Sequence, residues 1–129
     1  MIAAKILKKI LFLLLALPFL VNAQAPGTDN QKKRAKEDIE AYRRRVVKGE
    51  NFGSIAALYS DDSGSAKNGG IYKNVVKGKM VKEFEDVAFS LNPGDISEVF
   101  ETQYGFHFIQ LIARRGDELD LRHILVIPR

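Results

Sequence analysis

Two histidines are the residues in this chain best suited by type to chemistry near neutral pH, because imidazole is the side chain whose unperturbed pKa lies between pH 5 and 8. His107 stands second in the run from Phe106 to Ile112, where a period of two sets His107, Ile109 and Leu111 on one side of a strand. A polar ring at the head of an apolar row marks a candidate site. Taken by itself it reads more simply as a core or edge histidine. His123 lies in a second apolar run, Arg122-His123-Ile124-Leu125-Val126. Two imidazoles fall short of a zinc ligand set unless Asp or Glu side chains converge on them. The chain has no cysteine, which excludes disulfides, a cysteine nucleophile and a cysteine zinc site.

The elements that must position these rings follow from periodicity and punctuation. The spacing predicts a helix from Gln31 to about Val47, with Ala35, Ile39, Tyr42 and Val46 on one face and its many charges on a solvated one. Gly49 ends it. Asn51 caps a second helix whose face carries Phe52, Ile55, Ala56 and Tyr59. Ser60 to Gly70 reads as loop with one helical turn near Ser65 to Lys67, and Ile71 to Val76 as a strand. From Met80 a short amphipathic helix follows, with Phe84, Val87, Ala88 and Leu91 at i, i+3, i+4 and i+7. Phe84 heads this helix beside Met80, and Val87 and Leu91 are expected deeper in the same stripe. Asn92-Pro93-Gly94-Asp95 stops the helix. A strand from Ile96 to Phe100, a polar turn at Gln103 to Gly105 and the His107 strand come next. Arg114 to Glu118 reads as a hairpin connection, and Leu119 to Ile127 as a last strand antiparallel to Phe106–Ile112.

The stretch around Met80 to Leu111 resembles the parvulin family of peptidyl-prolyl isomerases, or rotamases. The resemblance is carried by Gly78-Lys79-Met80, Phe84-Glu85-Asp86 with Ala88-Phe89, Pro93-Gly94-Asp95-Ile96-Ser97, and Thr102 with Gly105-Phe106-His107-Phe108-Ile109. Upstream it takes in Gly49-Glu50-Asn51-Phe52, Ala56, Tyr59-Ser60-Asp61-Asp62, Ser65-Ala66 and Gly69-Gly70. It implies an α+β, parvulin-like (FKBP-like) fold, a four-stranded antiparallel sheet packed by helices. In parvulins a His-Ile-Leu-Val strand opens the domain, whereas here the motif comes last. Leu119 to Arg129 therefore resembles the opening strand of a parvulin repeat, as in tandem-repeat periplasmic members. It is expected to fold back into the vacant slot, since an empty slot leaves backbone donors and an apolar edge unpaired.

The resemblance implies site residues position by position. The pocket for a proline ring falls on Met80 and Phe84, with Tyr72 where the family often has leucine. The polar centre falls on Asp62, the paired histidines on His107 and His123, a threonine of the histidine network on Thr102, and a rim position on Tyr104. Each has a plainer reading. Met80 and Phe84 are apolar in any fold of this pattern. Asp62 stands in Asp61-Asp62-Ser63-Gly64, which any loop could contain, and a loop carboxylate is expected to add little to packing. The chain departs from the family in having Ile71-Tyr72-Lys73 after Gly69-Gly70, where Asp-Leu-Gly is common. The basic loop behind phosphate preference in some members is also lacking, so phospho-specific activity is not implied.

A chain of 129 residues allows one domain. Residues 1–23 read as a secretory signal peptide, with Lys5, Lys8 and Lys9 before an apolar run from Ile10 to Val21 and Val21-Asn22-Ala23 before Gln24. Export to the periplasm or outside the cell follows, with no stable membrane insertion once the leader is cleaved. Residues 24–30 read as a linker and 31–129 as the domain. Removing the three leader lysines from a net charge of +4 leaves +1, which gives little support to a nucleic-acid partner. The expected activity is prolyl cis-trans isomerisation assisting the folding of exported proteins, with unfolded or extended proline-containing polypeptides as partners and no cofactor. The alternatives are a non-catalytic parvulin-like module that holds peptides, or a truncated piece of a multi-repeat parvulin chaperone.

Overall fold

The computed structural model describes residues 27–129, so the leader expected at 1–23 lies outside the described residues. Helix α1, Asp29–Val47, begins two positions before the expected Gln31 because Thr28 caps it. The Thr28 hydroxyl accepts the Gln31 N–H at 3.2 Å while the Gln31 side chain accepts the Thr28 N–H at 2.8 Å, a reciprocal cap that satisfies two otherwise unpaired donors. Ala35, Ile39 and Val46 face inward as their spacing requires. Helix α2, Phe52–Tyr59, starts at Asn51, whose side chain accepts from Ser54 N at 2.9 Å. Phe52, Ile55 and Ala56 are buried, but Tyr59 lies outside and stacks on Tyr42 at 4.6 Å. A 3₁₀ turn, Ala66–Asn68, leads to β1, Ile71–Val75. Helix α3, Lys82–Ser90, then precedes β2 (Phe100–Thr102), β3 (Gly105–Arg115) and β4 (Glu118–Val126).

The four strands form one sheet in the order β1-β4-β3-β2, every neighbour antiparallel. The expected pairing of the last strand with the His107 strand is present. Its turn is tighter than expected: Arg115 faces Glu118 across Gly116-Asp117. Gly116 has φ +58°, which suits the first central position of a type II′ hairpin turn. The strand expected over Ile96–Phe100 is reduced to a single bridge between Ile96 and Gln110, and β2 begins only at Phe100. Ser97 explains the break. Its hydroxyl, not its carbonyl, accepts the Ile109 N–H at 2.9 Å, so the regular ladder does not propagate through it.

The sheet separates two apolar layers. Helices α1 and α2 cover Phe106, Phe108, Ile124 and Val126 on one face. Helix α3 covers Ile109, Leu111, Leu119 and Leu121 on the other, together with Val75, Phe84 and Ala88. Strand β4 fills the slot between β1 and β3 because a glycine lets it in. Gly70 has φ +81°, and a Cβ there would strike the His123 backbone; instead Gly70 O accepts the His123 N–H at 3.0 Å. The far end of β4 is pinned by the loop after α2. Asp61 N donates to Leu125 O at 2.7 Å, and the Asp61 carboxylate accepts Ile127 N at 2.8 Å. Among the described residues no helix is long and apolar enough to cross a membrane.

Candidate functional site

On the α3 face the alternation of β3 and β4 continues past Ile109 and Leu121 to the two histidines. They are not direct partners. His107 faces Leu125 and Ile109 faces His123, so the imidazoles meet on the diagonal, with ring centroids 5.7 Å apart and planes 22° from parallel. Phe84 of α3 abuts both edge-on, at 5.7 and 5.3 Å. Phe100 stacks on His107 at 5.2 Å from the β2 side. Both histidines are fully buried.

Asp62 joins them from the loop after α2. It is 1% exposed, against the expectation of a loop carboxylate that adds little to packing, and four donors explain how a charge is tolerated there. Its Oδ2 accepts from Ser65 Oγ at 2.7 Å, Tyr72 OH at 2.8 Å and His123 Nε2 at 2.7 Å. Its Oδ1 accepts the Gly64 N–H at 3.2 Å. Burial works to raise the Asp62 pKa, but the bonds from His123, Ser65 and Tyr72 outweigh it and hold the carboxyl below its usual range. An ionised carboxylate can only accept, so Nε2 of His123 is the donor in that contact.

The second pair is His107 and Thr102, with Nε2 and Oγ1 2.7 Å apart. Thr102 Oγ1 also accepts the Tyr104 N–H at 3.1 Å. Burial pushes the His107 pKa well below its ordinary value, with the neighbouring His123 adding to the effect and Asp62 opposing it. His107 is thus neutral at pH 7. The Nδ1 atoms of both histidines are buried without a hydrogen-bond partner among the described residues.

The apolar residues assigned to a proline pocket separate by depth. Tyr72 and Met80 are half-buried, whereas Phe84 has no exposed surface. The expected order within α3 is therefore reversed: Phe84 and Ala88 are innermost, and Val87 and Leu91 are half-buried, because the helix turns Phe84 under the imidazoles. Tyr104 is 4% exposed and not on a rim, since the two-residue β2–β3 turn folds it back and its N–H ties to Thr102. Ser65 was legible only as part of a motif. Its role needed the i, i+3 spacing from Asp62, which brings its hydroxyl onto Oδ2. The cleft of about 330 Å³ between α1 and the segment after β4 is lined by Tyr42, Tyr59, Asp61 and Arg129 and by none of the clustered polar groups. Among the described residues no group of three or more His, Asp or Glu side chains could hold a metal.

The family model for the rotamase PPIC-type PPIASE domain matches residues 19–113. The chain belongs to that family. Strand β4 and His123 lie beyond the matched stretch, so the geometry, and not the match, brings the second histidine to the first. The chain is 42% identical over 81 residues to the chaperone SurA of Nitrosococcus oceani, covering 63% of this chain and 19% of that protein. It is 42% identical over 83 residues to the foldase protein PrsA of Oceanobacillus iheyensis, covering 64% and 28%. Over 100 residues it is 35% identical to the SurA of Chromohalobacter salexigens, covering 78% and 22%. The chain thus spans less than a third of the length of these relatives.

Proposed function

We propose that this domain is a peptidyl-prolyl cis-trans isomerase that assists the folding of exported proteins. The observation that carries the reading is the convergence of Asp62, His123, His107 and Thr102 on one face of the sheet, next to the half-buried Tyr72 and Met80. The relatives' names, chaperone and foldase, agree with it. Residues 1–23 act as a cleaved leader, the linker ends at Gly27, before the Thr28 cap of α1, and the domain works in the periplasm or outside the cell on extended, proline-containing chains. Neither a nucleic acid nor a cofactor is required.

The chemistry is rotation about one bond. Amide resonance sets a barrier of ~18–20 kcal/mol, and twisting the bond removes that resonance. A site that prefers the twisted amide by ~1.36 kcal/mol gains about tenfold in rate. Met80 and Tyr72 supply an apolar wall for the proline ring. Below it lie an ionised Asp62, a neutral His107 and the His123 N–H aimed at Asp62, a fixed field in a site with little water. No bond to the enzyme forms.

One observation favours a second reading, a peptide-binding module without turnover. Asp62, His107 and His123 are all buried, so a bound peptide meets Tyr72 and Met80 before any of them. Cis/trans exchange in a short Xaa-Pro peptide, followed by NMR exchange spectroscopy, separates the two. Exchange that accelerates with protein concentration supports the isomerase. Saturable binding without acceleration supports the module.

A further inference from the structure

We propose that Tyr72 is a positioning residue of this site: its hydroxyl fixes the Asp62 carboxylate against His123, and its ring roofs that pair at the boundary with solvent. Tyr72 faces Leu121 across the β1–β4 ladder, and direct cross-strand partners share a face. That register turns its side chain to the histidine layer. The ring centroid lies 5.5 Å from that of His123, and the phenol oxygen reaches Asp62 Oδ2 at 2.8 Å.

Three elements compete for one oxygen. Ser65 from the loop, Tyr72 from β1 and His123 from β4 all donate to Oδ2, while Oδ1 takes only the Gly64 N–H. An oxygen so occupied has no room for a proton of its own. Of the three donors Tyr72 alone is not buried, so it is the member of the network that a bound peptide can touch. Leucine, which the resemblance places here in many parvulins, would fill the wall but could not donate. The titratable groups facing Asp62 are Tyr72 from β1, His123 from β4 and, one ring further, His107 from β3, while α3 presents Phe84 to the imidazoles.

The decisive variant is Tyr72→Phe, which deletes one oxygen and keeps the ring. The Asp62 side-chain carboxyl is followed by carbon NMR through an acid titration, with no substrate present. Losing a donor to the charged form raises a carboxyl pKa, so the Asp62 midpoint is expected to move up by about one pH unit. A role in packing alone would leave that midpoint in place, and an unchanged midpoint in a folded variant overturns the proposal. In the wild-type protein, a slowly exchanging Tyr72 hydroxyl proton is the independent sign of the bond, and its absence counts equally against it. Only the kinetic consequence rests on the isomerase reading: kcat in Tyr72→Phe should fall about tenfold with KM within about twofold, and the acid limb should shift upward with the Asp62 midpoint. If the wild-type protein proves inactive, that reading fails while the titration still decides the role of Tyr72.

Discussion

Replacing Asp62 by alanine should unfold much of what the sequence alone suggested it would spare. The side chain is 1% exposed and holds together the loop after α2, β1 and β4 through Ser65, Tyr72 and His123. Truncation leaves the buried His123 N–H only the longer 3.3 Å approach to Ser65 Oγ, and it deprives Ser65 and the half-buried Tyr72 of their carboxylate acceptor. Leaving buried donors poorly satisfied costs about 1–3 kcal/mol each, so a total near 3 kcal/mol is a large share of the ~5–15 kcal/mol that stabilises a typical domain. Urea unfolding followed by circular dichroism suits a chain without tryptophan. With an m-value of about 1.5 kcal/mol/M, a loss of ~3 kcal/mol lowers the midpoint by about 2 M. The effect has a pH signature. A carboxyl whose folded pKa is depressed stabilises the protein above its unfolded pKa of about 3.9, and the stabilisation is lost as pH falls through the folded value. The gap between wild type and Asp62→Ala should therefore be wider at pH 7 than at pH 3. A loss under about 1 kcal/mol, or an equal gap at both pH values, would refute this account of the Asp62 network.

Phe84→Ala should cost about 3–5 kcal/mol in the same assay, because the ring is wholly buried against Phe100 and both imidazoles; Met80→Ala, at a half-buried wall, should cost about 1 kcal/mol while raising KM in the peptide assay. A reversal of that ranking would put Phe84 at the surface of the pocket. Gly70→Ala should fail to fold or lose several kcal/mol, since both its φ of +81° and the passing His123 backbone oppose a Cβ; a stable variant would mean that β4 lies elsewhere. Stability should begin to fall as pH drops below about 6.5, because His107 is held neutral in the folded state and the unfolded chain takes the proton first. A His107→Gln variant with the same acid limb would remove His107 as the cause.

The elements were legible where local pattern and tertiary demand agree. The stripes of α1 and α2, the stop after α3 and the hairpin at Gly116 follow from spacing and turn chemistry. Even the pairing of β4 with β3 was readable, because an unfilled slot in a sheet leaves polar backbone and apolar side chains exposed. The site was legible in its membership and not in its depth. Asp61-Asp62-Ser63-Gly64 looks like solvated loop because Asp62's partners, Tyr72 and His123, are distant in sequence. The fate of Tyr72 depends on the register of β1 against β4, which is shifted by an irregularity between Tyr72 and Val75 where Asn74 adopts φ +57°. The break at Ser97 was hidden because a hydroxyl standing in for a carbonyl leaves no trace in an apolar pattern.

The placement of β4 in the middle of the sheet has a consequence in time. This strand follows the other described elements in the chain, yet β1 and β3 are joined into one sheet only through it. Asp62 and His123, in hydrogen-bond contact, are 61 positions apart. Such non-local closures pay their entropy before any contact repays it, and they slow folding relative to helix formation. Helices α1 and α2 can form within microseconds of dilution from denaturant, but a sheet waiting for its inner strand has neither a continuous core nor a completed pair of imidazoles. Recovery of function on refolding should therefore keep pace with closure of the sheet and lag behind the return of helical signal.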